Sequence, residues 1–247
     1  MSDQVLVERQ GAVLDVRLNR PEKRNALTVE MYAALADALE GAERDPELRV
    51  VLLSGEGPAF SAGNDLKDFL ARPPHPESAP TNRFLESLAT GTKPIVAAVH
   101  GFAVGIGTTL LLHCDLVYAA EETRFHLPFV PLGLVPEAGS SLLLPERIGP
   151  ARAAEMLLLA EPLTAEAALD AGLVTRVFPA ASLLEEARRL AERLAALPPE
   201  AVRETRALLR SGRDVVRHRM RLEARVFGER LRSEEARRAM EAFFQKK

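Results

Sequence analysis

The chain has 247 residues, of which 47% are hydrophobic and 27% charged, and its formal net charge is −3. This balance is typical of one globular domain, or of a domain with an appended subdomain, and it provides no general attraction to nucleic acid or to membranes. The single cysteine, Cys114, excludes an internal disulfide, and the N-terminal residues lack the apolar core of a signal peptide. We therefore expect a cytoplasmic protein without a membrane span.

Strand and helix signals alternate through the first half of the chain. Alternating apolar residues indicate half-buried strands, apolar runs indicate buried strands, and a 3.6-residue period indicates helices. In chain order we predict a β-hairpin around residues 10–11, a polar loop over 19–26, a helix capped by Thr28, a strand over 49–54, a loop passing into a helix over 60–69, a loop over 72–80, a helix over about 81–90 and a strand over 95–99.

Helical signals dominate the second half. We predict a short apolar helix ending near His113, a strand over 116–120, an irregular Pro-rich stretch over 124–137, helices over about 138–147, 150–159, 164–170 and 182–197, and two or three Arg-rich helices reaching 243. Strand–helix alternation followed by helices alone predicts an α/β core with a helical C-terminal subdomain. We place the core at 1–195 and the subdomain at 196–247.

Two glycine-containing turns follow predicted buried strands. Gly105 and Gly107 follow the strand at 95–99 and allow the backbone to turn sharply and to approach a ligand. The amide of Ile106 would then open a helix without an intrahelical acceptor, which favours an oxygen anion. The second turn follows the strand at 49–54. If the two strands are neighbours, the amides of Ala62 and Ile106 converge on one oxygen, although two ordinary tight turns would also explain the glycines.

A third candidate is Glu137, which stands among the small and apolar residues Leu134, Val135, Pro136 and Ala138. Apolar surroundings raise the proton affinity of a carboxylate, and a general base that works near neutral pH needs such a pKa. A glutamate in the first turn of a helix also stabilises the helix dipole, so this position alone leaves a structural role open.

Five stretches together resemble the enoyl-CoA hydratase/isomerase (crotonase) superfamily: 19–27 (NRPEKRNAL), 60–66 (FSAGNDL), 100–107 (HGFAVGIG), 114–115 (CD) and 132–139 (LGLVPEAG). The resemblance implies a crotonase-like spiral of ββα turns and a helical C-terminal region that makes trimer contacts. It also implies an acyl-CoA substrate, no metal or redox cofactor, and a homotrimer or a dimer of trimers.

The same resemblance assigns roles to residues. The Ala62 and Ile106 amides match the oxyanion hole, and Glu137 matches a catalytic base. The residues matched to substrate or CoA binding are Lys23, Arg24, Ala26, Asn64, Asp65, Leu66, Gly105, Gly107 and Phe129.

Two departures from the family pattern bear on the reaction. Hydratases of this family carry two glutamates at positions occupied here by Thr109 and Phe129. Adding water requires one group that activates water and another that delivers a proton, whereas moving a double bond requires a single base. The lone Glu137 therefore resembles the Δ3,Δ2-enoyl-CoA isomerase branch.

The motifs leave other functions open. A hydratase, a ring isomerase of aromatic CoA thioesters, and a catalytically silent CoA-binding subunit are the alternatives. The five histidines lack metal-ligand spacing, and the segment from Gly105 has leucine where a dinucleotide-binding fingerprint has its third glycine.

Overall fold

The computed structural model describes residues 3–71 and 79–245. Most of the loop predicted over 72–80 therefore lies outside the described residues. The strands are β1 (Val5–Gln10), β2 (Val13–Leu18), β3 (Val50–Gly55), β4 (Ile95–Val99), β5 (Phe102–Val104), β6 (Leu116–Ala120), β7 (Arg124–His126), β8 (Leu163–Thr164) and β9 (Arg176–Phe178).

The helices follow in the predicted order. They are α1 (Val29–Arg44), α2 (Leu66–Ala71), α3 (Pro80–Thr90), α4 (Ile106–Thr109), α5 (Ser140–Ile148), α6 (Pro150–Ala154), α7 (Ala165–Asp170), α8 (Ala180–Ala195), α9 (Pro199–Leu209), α10 (Arg213–Leu231) and α11 (Glu234–Gln245). Shorter turns of 3₁₀ helix lie at Pro21–Lys23, Leu110–His113 and Val130–Leu132, and a π-helical turn lies at Glu155–Leu159.

A six-stranded sheet with the order β1-β2-β3-β4-β6-β9 forms the centre of the molecule. The hairpin β1–β2 is antiparallel, as predicted, and each remaining pair is parallel. Because side chains alternate along a strand, Val51 and Leu53 pack in the larger core while Val50 and Leu52 pack in a second core. The helices α1 and α3 pack together beside the first core, and α8 covers the opposite face.

A second sheet of three short strands, β5-β7-β8, lies beside the first. Here β5 pairs in parallel with β7, and β7 pairs antiparallel with β8. The prediction of irregular structure over 124–137 is therefore wrong for Arg124–His126. A three-residue strand is too short for a periodic signal, and its pairing comes from residues distant in the sequence.

Helices alone follow Ala195 in the described residues. The long helix α10 packs against α3 and α5, and α11 packs against the turn Val130–Leu132. Arg206 and Arg210, at the end of α9, form ion pairs with Asp115 at 2.9 and 3.3 Å. The division of the chain at 195/196 stays a prediction. None of the described helices combines the length and apolar character needed to traverse a bilayer.

Candidate active site

The two glycine-containing turns meet where β3 and β4 end. These strands are parallel neighbours, with Val51 opposite Ile95. The Phe60 amide donates to the His100 carbonyl at 2.9 Å, and a Cβ on Gly63 would lie 2.8 Å from the Val104 carbonyl oxygen. The two strands are therefore neighbours, as the prediction of converging amides requires, and the turns that follow them are in contact.

Of the two amides predicted to lack an acceptor, Ile106 agrees with the structure and Ala62 does not. The Ala62 N–H donates to the Arg24 carbonyl at 2.8 Å, so the prediction that Ala62 supplies a free donor is wrong. Arg24 adopts a left-handed conformation, with φ of 52°, and the loop that contains it crosses over this turn. The Asn64 N–H, two residues later, has no acceptor within residues 3–71 and 79–245. The same holds for the Ile106 N–H, which opens α4 as predicted.

Glycine is required in both turns. Gly63 has φ of +86° beside the Val104 carbonyl, and a Cβ on Gly107 would lie 2.9 Å from the Ser61 Cβ. Gly105 has φ of +53° and open space around the position of an added Cβ. The turns therefore approach closely at Gly63 and Gly107, whereas Gly105 borders open space.

The Glu137 side chain reaches α4, the short helix that Ile106 opens. Its Oε1 accepts a hydrogen bond of 2.5 Å from the Thr109 hydroxyl, and Thr109 lies on the same short helix as Ile106. The pKa of Glu137 is raised from 4.5 to about 7. Burial is the largest cause and raises it, the Thr109 hydrogen bond lowers it, and the charge of Glu223 raises it. A carboxyl with this pKa can both accept and release a proton near neutral pH.

Tyr32 is a buried residue of the site that the sequence interpretation missed. The hydroxyl of this α1 residue donates to Asn64 Oδ1 at 2.5 Å. Burial, and then the negative charge of Glu137, raise the pKa of Tyr32 well above its ordinary value, which keeps the phenol protonated. In the sequence Tyr32 belongs to the apolar stripe of α1, so its pattern indicates core packing and gives no sign of the polar contact.

The residues matched to CoA binding lie in two adjoining loops. Lys23 and Arg24 are exposed, and the Arg24 guanidinium lies 5.7 Å from the centre of the Phe102 ring. The Ala26 carbonyl accepts from Arg20 at 3.0 Å. These loops place two cations at the surface, and their binding of CoA stays a prediction.

Asp65 and Leu66 contribute to the start of α2. The Asp65 carboxylate accepts from Arg20 at 2.8 Å and from the Lys67 and Asp68 amides. Partial burial favours the neutral form, but these hydrogen bonds and the Arg20 charge outweigh it and lower the pKa of Asp65. Leu66 is the first residue of α2. The Asp65 carboxylate therefore has a structural role, whatever its role in binding.

Phe129 belongs to the larger hydrophobic core and is 5% exposed. It precedes the 3₁₀ turn Val130–Leu132. Its contact with substrate stays a prediction.

Asn25 is a second residue that the sequence interpretation did not single out. It is fully buried, and its side chain accepts from the Arg20 amide and donates to the carbonyls of Glu56 and Ala59, each at 2.8 Å. The Asn25 carbonyl accepts from the Ser61 hydroxyl at 2.9 Å. Because every one of these bonds is buried or half-buried, Asn25 fixes the loop of Arg24 against the turn that contains Asn64. In the part of the chain that the structure describes, no three His, Cys, Asp or Glu side chains are grouped to hold a metal ion.

The family model for enoyl-CoA hydratase/isomerase matches residues 8–247. The chain belongs to the enoyl-CoA hydratase/isomerase family. A crystal structure of an enoyl-CoA hydratase/isomerase from Pseudoalteromonas atlantica T6c has a TM-score of 0.96 and 44% sequence identity, covering 99% of this chain and 98% of that one. The predicted crotonase-like α/β fold is thereby confirmed.

Two curated relatives carry different activities in their names. Enoyl-CoA delta isomerase 2 of Rattus norvegicus is 39% identical over 212 residues, which are 83% of this chain and 54% of that protein. This chain thus spans about half the length of that relative. The 2,3-dehydroadipyl-CoA hydratase of Escherichia coli K12 is 35% identical over 246 residues, covering 99% of this chain and 96% of that protein.

Proposed function

We propose that the protein is an isomerase that converts a 3-enoyl-CoA into the 2-trans-enoyl-CoA through a thioester enolate. The observation that carries the proposal is the placement of one carboxyl, Glu137, against α4, whose first amide has no acceptor among the described residues. The raised pKa of Glu137 suits a group that takes up a proton and returns it.

In the first step the thioester oxygen accepts hydrogen bonds from the Asn64 and Ile106 amides. Glu137 removes a proton from C2, and the electron pair of the C2–H bond moves into the thioester to form an enolate. Amides aimed at such a developing oxyanion stabilise it by about 3 kcal/mol each.

In the second step Glu137 returns the proton to C4. The enolate electrons form the C2–C3 double bond, and the pair of the C3–C4 double bond takes up the proton at C4. The substrate is neither oxidised nor reduced, so the reaction needs no redox cofactor. We also expect no metal ion to take part, because the two amides are proposed to stabilise the enolate oxygen.

The contact between Thr109 and Glu137 favours isomerisation over hydration. Thr109 occupies the position of the first hydratase glutamate, and its hydroxyl already donates to the base. Phe129, at the position of the second glutamate, carries no proton to deliver. Glu137 is therefore left to perform proton transfer alone.

Enoyl-CoA hydration is the second candidate function, because the hydratase relative from Escherichia coli covers nearly the whole chain. The remaining alternatives are ring isomerisation of an aromatic CoA thioester and silent CoA binding; under either of them the protein would catalyse neither reaction of the test below.

The test measures two reactions with the purified protein: isomerisation of 3-hexenoyl-CoA and hydration of 2-hexenoyl-CoA. We expect isomerisation without hydration, and its loss in Glu137→Gln. Glu146→Gln, an exposed glutamate of α5, is the matched control and should behave as wild type. Hydration faster than isomerisation, or wild-type isomerisation by the Glu137 variant, would refute the proposal.

We further propose assembly into a homotrimer or a dimer of trimers. Large apolar side chains are exposed on the C-terminal helices, with Leu208 77% and Leu209 82% exposed at the end of α9. Such surface is costly to leave in water. Light scattering after gel filtration should give the mass of three or six chains, and a monomer would contradict the proposal.

A further inference from the structure

A distant part of the chain holds the turn that carries Glu137. Glu223 lies on α10 and is 6% exposed. Its carboxylate accepts hydrogen bonds from the Gly139 amide at 2.6 Å and from the Ser141 amide at 2.9 Å. Both amides stand at the start of α5, where N–H groups lack intrahelical acceptors. One carboxylate from α10 therefore caps α5 and fixes the residues just after Glu137.

The turn itself has a conformation that requires support. Ala138 and Gly139 both lie in the left-handed region, with φ of 59° and 75°, and Ala138 has a side chain that disfavours it. His113 Nε2 donates to the Ala138 carbonyl at 2.7 Å. Burial lowers the pKa of His113 to about 4, so this ring is a neutral donor. Bonds to consecutive residues thus hold the strained turn in one conformation.

Apolar contacts from α10 reach the same turn. A Cβ added to Gly139 would lie 3.2 Å from Val216 Cγ1 and 3.3 Å from Met220 Cγ, so the helix packs directly on the glycine. Glu223 follows Met220 by almost one helical turn and lies on the same face of α10. Packing and hydrogen bonds therefore act together on the segment after Glu137.

We propose that Glu223 is a positioning residue for Glu137: by binding the Gly139 and Ser141 amides, it fixes the strained turn that aims the catalytic carboxyl at the substrate. This inference rests on the proposed function, in which Glu137 is the base. It makes activity depend on a buried carboxylate that does not touch the substrate.

Glu223 also acts on Glu137 through its charge. The ionisable groups placed against the turn are Tyr32 from α1, His113 from the 3₁₀ turn after α4, and Glu223 and Arg219 from α10, with Arg219 bonded to the Ser141 hydroxyl at 3.3 Å. Of these, Glu223 raises the pKa of Glu137, in addition to the larger effect of burial. Removing its charge should therefore allow Glu137 to ionise at lower pH.

The experiment compares Glu223→Gln with Glu229→Gln, an exposed glutamate of the same helix. We measure kcat and KM for 3-hexenoyl-CoA from pH 5 to 9, with circular dichroism as the check of folding. For Glu223→Gln we expect kcat to fall about tenfold with little change in KM, because the base is misplaced. The acid limb of the pH profile of Glu223→Gln should also move to lower pH. Loss of stability alone would not produce this shift.

Three outcomes distinguish this inference from the proposed function. If Glu137→Gln is inactive while Glu223→Gln matches Glu229→Gln in kcat and pH profile, the positioning role alone is wrong. If Glu137→Gln keeps wild-type turnover, the proposed function and the positioning role both fail. Should Glu223→Gln not fold, Glu223→Asp, with a shorter reach and the same charge, takes its place; an unchanged kcat there would overturn the positioning role.

Discussion

The hydrogen bond from Thr109 to Glu137 lowers the pKa of the proposed base and so opposes the larger effect of burial. The Thr109 hydroxyl, which is fully buried, donates to the carboxylate at 2.5 Å and so favours the ionised form. Replacing Thr109 with valine keeps the shape of the side chain and removes the donor. The pKa of Glu137, already raised to about 7, should rise further.

The size of the effect follows from the strength of such a bond. A hydrogen bond to a charged group contributes about 1.5–3 kcal/mol, and about 1.4 kcal/mol corresponds to one pH unit, so the acid limb of kcat/KM should move up by about 1–2 pH units. Because the base must be ionised to accept a proton, turnover at pH 7 should fall about 5- to 50-fold, and most of it should return at high pH.

The assay is the pH profile of kcat/KM for 3-hexenoyl-CoA, measured for Thr109→Val and two controls. Thr109→Ser keeps the hydroxyl and should keep the wild-type profile. Thr108→Val removes an equally buried hydroxyl on the same helix, but one that donates to the Ala103 carbonyl, so it should leave the acid limb in place. An unshifted acid limb in Thr109→Val would show that this hydrogen bond does not set the pKa of the base.

Three further predictions concern the turns and the base. Gly107→Ala places a Cβ 2.9 Å from the Ser61 Cβ, which separates the two turns, and kcat/KM should fall about tenfold or more; wild-type kinetics would contradict this. Tyr32→Phe leaves Asn64 Oδ1 without its donor and should cost about 1 kcal/mol of unfolding free energy with a several-fold lower kcat; unchanged denaturation and kinetics would count against it. In Glu137 the folded-state pKa exceeds the ordinary value of 4.5, so folded wild type loses stability as pH rises from about 4.5 to about 7. Glu137→Gln should therefore be more stable than wild type at pH 8, and the two should be equally stable near pH 4. We expect a difference of about 2 kcal/mol at pH 8, a magnitude that allows for the partial exposure of the carboxyl to solvent. Equal melting temperatures at pH 8 would refute that account.

Long, regular elements could be predicted from the sequence because their signals are local. The alternation around Gly11 gave the hairpin, and the apolar runs gave β3 and β4 within a residue of their observed bounds. The strands β5, β7, β8 and β9 were missed because each has only two or three residues and forms through pairing with distant segments. Local patterns cannot specify such pairs.

In the site, too, features with a local sequence signal could be predicted, and contacts between distant segments could not. The positions of Glu137 and Ile106 followed from the motifs, but the choice between Ala62 and Asn64 depended on where the Arg24 carbonyl falls, which only the folded loop decides. The contact between Glu223 and the turn after Glu137 was missed because Glu223 lies 84 residues after Gly139 in the sequence. A contact between residues so far apart in the sequence does not produce a motif with a fixed spacing, so it cannot be predicted from the sequence.

Proton exchange at C2 tests the central claim most directly. Wild type, Glu137→Gln and Glu146→Gln are each incubated with 3-hexenoyl-CoA in deuterated water, and deuterium at C2 and C4 is followed by NMR together with formation of the 2-enoyl product. If Glu137 is the base, wild type and Glu146→Gln should form the product, and any uptake of deuterium at C2 or C4 should require Glu137. Glu137→Gln should then show neither product formation nor deuterium uptake. Continued exchange or product formation by Glu137→Gln would contradict the account.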